Sequence, residues 1–242
     1  MRRRLVFALL SLLLAHGTAP IGRVTGRSSP EAGSTPGAVV LPPDAPAYGG
    51  TYGEWSARQW QWLLSFPNEV SPYTDATGER CGLGQSGPVF FLTGTTDDPG
   101  IPRDCTVPAG VALFVPVVAA ECSTVQAPPL FGRDEAELAA CAGSIVGGAS
   151  PTLGAVLDGE SIPNLERYRV RSPRFSVALP PDNRLGVEPG VAALVSDGYW
   201  LLLAPLPPGR HVLRLGVSLR EPEGEGGVTY RLTVAEPWTS TP

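Results

Sequence analysis

The chain contains no lysine; all eighteen of its basic residues are arginine. Histidine occurs twice, and beyond the first twenty residues only His211 remains. These shortages remove the Schiff-base amine, the commonest general base and the commonest zinc ligand from most of the available chemistry. A metal centre needing two or three histidines is excluded, and no Gly-x-Ser-x-Gly elbow accompanies His211. That histidine shares parity with Leu213, Leu215 and Val217 and reads as a structural residue at a strand mouth. The glycine-rich loop Cys81 to Gly87 lacks the Gly-Lys-Ser/Thr ending of a phosphate loop and reads as a turn. No motif calls for a cofactor. Charge is also sparse, at 17% of residues with a net of −5, so nucleic acid is not an expected partner. Arg167, Arg169 and Arg171 share one parity, with Arg174 close by. They read as a solvated strand face, with an anion-binding stripe as the other reading. Beyond the first twenty residues no apolar stretch reaches the roughly twenty residues that a membrane span needs.

What is present points to export. Met1-Arg2-Arg3-Arg4 is a basic start, Leu5 to Ala15 an apolar stretch, and Ala15-His16-Gly17 offers small residues at a peptidase site. This is the layout of a secretory signal over residues 1–17. Four cysteines fit that destination: Cys81, Cys105, Cys122 and Cys141. An even count in an exported chain reads as two disulfides, and three connectivities are open. Local closure favours Cys81–Cys105 with Cys122–Cys141, each bridge contributing about 3 kcal/mol. The rival reading, a four-cysteine zinc site, finds no Cys-x-x-Cys pair to support it. The expected location is secreted, periplasmic or at the cell surface.

Glycine (29) and proline (27) are abundant and mark many turns. Residues 18–48, rich in Gly, Pro, Ser, Thr and Ala, read as a flexible linker; residues 49–236 form one domain and 237–242 a tail. A helix follows Thr51, which with Glu54 forms a capping box. Tyr52, Trp55, Gln59, Trp62, Leu63 and Phe66 fall on one stripe of it, and Pro67 ends it. Val89 to Leu92 and Val111 to Val118 read as strands, the second ending near Pro116. Residues 95–104 read as an acidic turn. A second helix runs from Asp134 to Val146, capped by Asp134 and Glu137. From Leu153 onward seven short strands are expected, with a hairpin at Asp158-Gly159. The predicted fold class is mainly β: an antiparallel β-sandwich, immunoglobulin-like or jelly-roll, with two short α-helices.

Several stretches carry a resemblance. They are Tyr52-Gly53-Glu54-Trp55-Ser56-Ala57-Arg58 with Trp60-Gln61-Trp62; Thr77-Gly78, Cys81 and Gly84 to Val89; Cys105 to Gly110; Glu121-Cys122-Ser123; Asp197 to Trp200; and Pro205 to His211. Together these resemble a group of uncharacterised exported proteins of bacteria and archaea, over residues 48–235. Gln59 stands here where that group has a further tryptophan. The resemblance implies export and a shared fold, and no activity.

Two functional readings follow from the residues. The first is a non-enzymatic binding or envelope-surface role, with a glycan or envelope component as partner and Trp55, Trp60, Trp62 and Trp200 as candidate binding residues. The second is a glycan-active carboxylate hydrolase using Glu54 and Glu121. A structural assembly component is a third. Asp97, Asp98 and Asp104 share a loop that offers oxygen ligands to calcium but lacks EF-hand spacing, so no metal site is assigned.

Overall fold

The computed structural model describes residues 40–94, 101–149, 151–220 and 223–235. The expected signal, linker residues 18–39, Asp97, Asp98 and the tail lie outside them. The chain is mainly β, with 41% strand against 17% helix, as its turn-rich composition demands.

One long strand, β8 (Gly190–Leu203), organises the first sheet. It pairs antiparallel with β3 (Ala112–Ser123) on one side and with β6 (Arg169–Arg171) and β7 (Phe175–Leu179) on the other. The short β1 (Val89–Phe91) completes the sheet, parallel to β3. A second sheet has the order β2 (Arg103–Val107), β10 (Glu223–Val234), β9 (Gly209–Arg220), β4 (Thr152–Leu157), β5 (Glu160–Ser161). There β2 runs parallel to β10 and the other pairs are antiparallel. Both sheets are therefore mixed, which corrects the expectation of purely antiparallel pairing.

Alternation along β3 and β8 assigns the layers. Phe114, Trp200 and Leu202 share one face. There Phe114 and Trp200 stack with centroids 5.1 Å apart, and the Tyr52 hydroxyl accepts from the Leu202 amide. This is the face covered by the first helix, α1 (Tyr52–Leu64), whose start is locked by the expected capping box of Thr51 and Glu54. The second helix, α2 (Glu135–Gly148), packs on the opposite face, where Cys122, Val195, Leu138 and Ala142 form a small apolar cluster. Asp134 caps it, but the Glu137 carboxylate turns to Arg133 instead of closing a second box. Leu113, Val115, Leu201 and Leu203 share one large cluster with Leu213, Leu215, Tyr230 and Leu232 of the second sheet. Each such side chain contributes about 1.5–3 kcal/mol by leaving water.

Local sequence explains several departures from expectation. β3 continues through Pro116 because the register shifts between Pro116 and Val118, and a bulge removes the ladder bond that proline cannot make. β8 runs unbroken through Ser196-Asp197-Gly198. A β-carbon on Gly198 would lie 2.5 Å from that of Ala119, so only glycine admits the neighbouring strand there. Residues 40–48 do not behave as linker: Val40 is buried and bridges Leu203, and Leu41 donates to the Leu202 carbonyl. The folded unit therefore includes Val40, ahead of the start at residue 49 read from composition.

Candidate functional site

The cysteines pair as local closure favours, Cys81 with Cys105 and Cys122 with Cys141, at Cα separations of 5.7 and 6.1 Å. His211 is held at both ring nitrogens, by Asp158 Oδ2 at 2.7 Å and the Pro207 carbonyl at 2.8 Å. Asp158 also accepts from the Val212 amide, so this trio ties the β4–β5 turn to β9. Asp104 is engaged by Arg231 on the neighbouring strand. Among the described residues no group of three His, Cys, Asp or Glu side chains converges to hold a metal. No helix among them is long and apolar enough to cross a membrane.

The four candidate tryptophans lie in the interior. Trp55, Trp60, Trp62 and Trp200 are 5, 7, 8 and 1% exposed, so their rings present no platform to solvent. Trp55 donates to the Ala47 carbonyl and Trp62 to that of Leu83, which fixes the rings as wedges between α1 and the loops around it. The stripe read from the sequence is wide because helix and sheet bury it together.

The two candidate carboxylates occupy opposite environments. Glu54 is exposed and accepts from the backbone and hydroxyl of Thr51, which hold its carboxyl below the ordinary range. Glu121 is buried on β3, and burial pushes its carboxyl up to about 7 against the opposing charge of Arg184. Among the described residues they have no partner in common: Thr51 and Arg58 act on Glu54, Arg184 on Glu121. The structure thus gives one acid a capping duty and encloses the other. Of the arginine run, Arg169 is paired to Asp197 and donates to the Gly143 carbonyl, while Arg167 lies over the Tyr168 ring.

A feature unread in the sequence lies on the outer face of the second sheet. Gly227 of β10 stands opposite Gly216 of β9, which stands opposite Gly154 of β4. Three adjacent strands thus place glycine in one row, flooring a groove of about 480 Å³ that crosses them. Val156, Arg214 and Thr229 form the next row and one wall. Gly227 and Gly216 have different causes. A β-carbon on Gly227 would approach the Leu215 carbonyl oxygen to 2.5 Å, so the backbone requires glycine there. A β-carbon on Gly216 would meet nothing within 4 Å. Glycine in a strand interior weakens the strand, and close approach by a ligand or another backbone is one of its recognised uses. The groove offers a guanidinium, a hydroxyl and a flat backbone floor, without an acid–base pair or nucleophile. That is chemistry for holding a ligand. Isolated glycines inside strand patterns were its only trace in the sequence, and only strand register aligns them.

No protein-family model, no curated protein and no solved structure matches this chain.

Proposed function

We propose that this is an exported, non-enzymatic binding protein of the cell envelope or its surroundings, and that the groove over Gly154, Gly216 and Gly227 seats its ligand. The observation that carries the reading is the glycine row itself, above all Gly216, whose open surroundings impose no need for glycine. A floor of bare backbone suits a flat, hydroxyl-rich ring. Among the described residues the Arg214 side chain has no partner, and Thr229 borders the same groove, so both offer donors to a sugar. The ligand class is therefore a glycan. Export is supported by the basic, apolar start of the chain and by two disulfides that fit an oxidising compartment. The resemblance to exported proteins of bacteria and archaea agrees with this. For the architecture we infer a β-sandwich, because both sheets feed one apolar cluster. Its parallel pairs β1–β3 and β2–β10 set it apart from an immunoglobulin or jelly-roll plan.

A glycan array probed with the mature chain tests the function. Retention of a defined glycan class is expected, with a loss of about tenfold or more for Gly216→Trp, which fills the groove, and for Arg214→Ala. An array without binding, or a Gly216→Trp protein that binds as well as the parent, overturns the proposal.

A further inference from the structure

The two disulfides differ in how open their sulfur-bearing residues are to solvent. Cys81, Cys105 and Cys122 are all buried, whereas Cys141 on α2 is half-buried. A disulfide opens when a thiolate attacks one of its sulfurs, so access decides which bond reacts and at which end. Of the four cysteines, Cys141 is the one an incoming thiolate reaches from solvent. Exposed disulfides are the labile and regulatory ones, and sealed ones are structural.

The helix that this bond holds is thinly packed. α1 buries nine of its thirteen residues, but α2 buries only Leu138, Ala142 and Val146 of its fourteen. Leu138 and Ala142 form a small cluster with Cys122 and Val195, apart from the large cluster that both sheets share. Cys122 sits in that small cluster, so its bond to Cys141 ties the helix covalently to its own seat on β3. Arg169 adds a polar tie: its Nη2 donates to the Gly143 carbonyl at 3.0 Å, and its Nε serves Asp197 at 2.7 Å. A β-carbon on Gly143 would lie 3.6 Å from Asp197 Oδ2, so the body of α2 covers this ion pair. Elements with few buried apolar contacts open locally well before the whole fold does.

We propose that Cys141 is a thiol-exchange site, and that reduction of its bond to Cys122 by an external dithiol unlatches α2 while Cys81–Cys105 stays closed. One thiolate of the dithiol attacks Cys141 Sγ; a mixed disulfide forms there, the Cys122–Cys141 bond breaks, and Cys122 leaves as a thiolate. The second thiolate of the reductant attacks its own sulfur in the mixed disulfide, frees Cys141 and leaves the dithiol oxidised to a disulfide. Two electrons pass to the cysteine pair; each thiol of the reductant gives up one proton and each cysteine takes one. The Pro129 carbonyl oxygen, 3.1 Å from Cys141 Sγ, accepts from the new thiol. With the covalent tie gone, α2 rests on its three buried side chains and on Arg169. Its opening bares Val195 and admits water to the Arg169–Asp197 pair.

The test treats the folded full chain with dithiothreitol in native buffer, blocks free thiols at intervals in denaturant and maps them by peptide mass. Cys122 and Cys141 are expected to become free about tenfold sooner than Cys81 and Cys105, or more. With glutathione, a monothiol, as the probe, the trapped adduct is expected on Cys141. Hydrogen exchange of the selectively reduced chain should show residues 135–148 losing protection while residues 52–64 keep theirs. The paired variant Cys122→Ala with Cys141→Ala should show the same loss without reductant; should it fail to fold, the reduced parent chain gives the answer. Opening of Cys81–Cys105 at an equal or faster rate, an adduct on Cys122, a reduced chain whose α2 stays protected, or one whose α1 opens with it overturns the proposal.

Discussion

Arg103 and Tyr230 converge on a single carbonyl: Arg103 Nη1 and the Tyr230 hydroxyl both donate to Thr93 O. Arg103 is 1% exposed and its guanidinium also serves the carbonyls of Gly94, Pro72 and Asp75. It stands in edge strand β2, two residues before Cys105, and stitches two segments, around Pro72–Asp75 and Thr93–Gly94, to the second sheet. Replacing it with leucine leaves those carbonyls short of a donor in a dry setting. We expect Arg103→Leu to lower unfolding free energy by about 3–5 kcal/mol, measured by urea titration. A loss below about 1 kcal/mol would mean that water replaces the guanidinium.

The two disulfides should contribute separately. Removing Cys81–Cys105 or Cys122–Cys141 by paired serine substitution is expected to cost about 2–4 kcal/mol each, because each closes a local loop of the unfolded chain. Non-reducing peptide mapping should find these two pairs and no free thiol.

Trp200 packs flat on Phe114 at the centre of the first sheet. Trp200→Ala is expected to destabilise by about 3–5 kcal/mol in the same urea assay. A stable variant that had lost only ligand binding would instead make the ring a binding element.

Stability should fall as pH rises through neutrality. Folded Glu121 holds its proton up to about 7, whereas the unfolded carboxyl releases it near 4.5. Between those values only the folded state keeps the proton, so each step up in pH favours unfolding. The full difference above about pH 7 is on the order of 3 kcal/mol. Thermal melts across this range should show the decline in the parent and a flatter profile in Glu121→Gln. A parent flat between about pH 5 and 8 would place the Glu121 carboxyl at its ordinary value.

The groove glycines should separate on substitution. Gly216→Val places a branched side chain in open space and is expected to change stability by less than about 1 kcal/mol. Gly227→Ala drives a methyl into the Leu215 carbonyl and should cost about 1–3 kcal/mol. Equal costs for both would show that Gly216 is a packing requirement and weaken the case for a ligand there.

Local signals were the legible part of the sequence. The Thr51–Glu54 box and the Asp158-Gly159 hairpin depend on residues within a few positions of one another, and they emerge as read. Pairings between distant segments were not legible. β2 is preceded by acidic, proline-containing sequence and looks like loop; only β10, more than a hundred residues later, makes it a strand. The polar triplet Ser196-Asp197-Gly198 looks like a break. In the structure the Ser172 hydroxyl accepts from its Ser196 amide, Arg169 neutralises its aspartate and Ala119 fills against its glycine. For the site, Glu54 and Glu121 were both visible as acids near apolar residues, yet helix position exposes one and strand parity buries the other.

The edges of the first sheet carry a further consequence. On β1, the Gln85 side chain accepts from the Phe91 amide and donates to its carbonyl; on β7, Gln61 donates to the Ser176 carbonyl. Each amide occupies a backbone position that an incoming strand would need. Copies of the protein therefore meet a first sheet whose margins are partly taken, and growth into fibrils by stacking on those margins must first evict a glutamine.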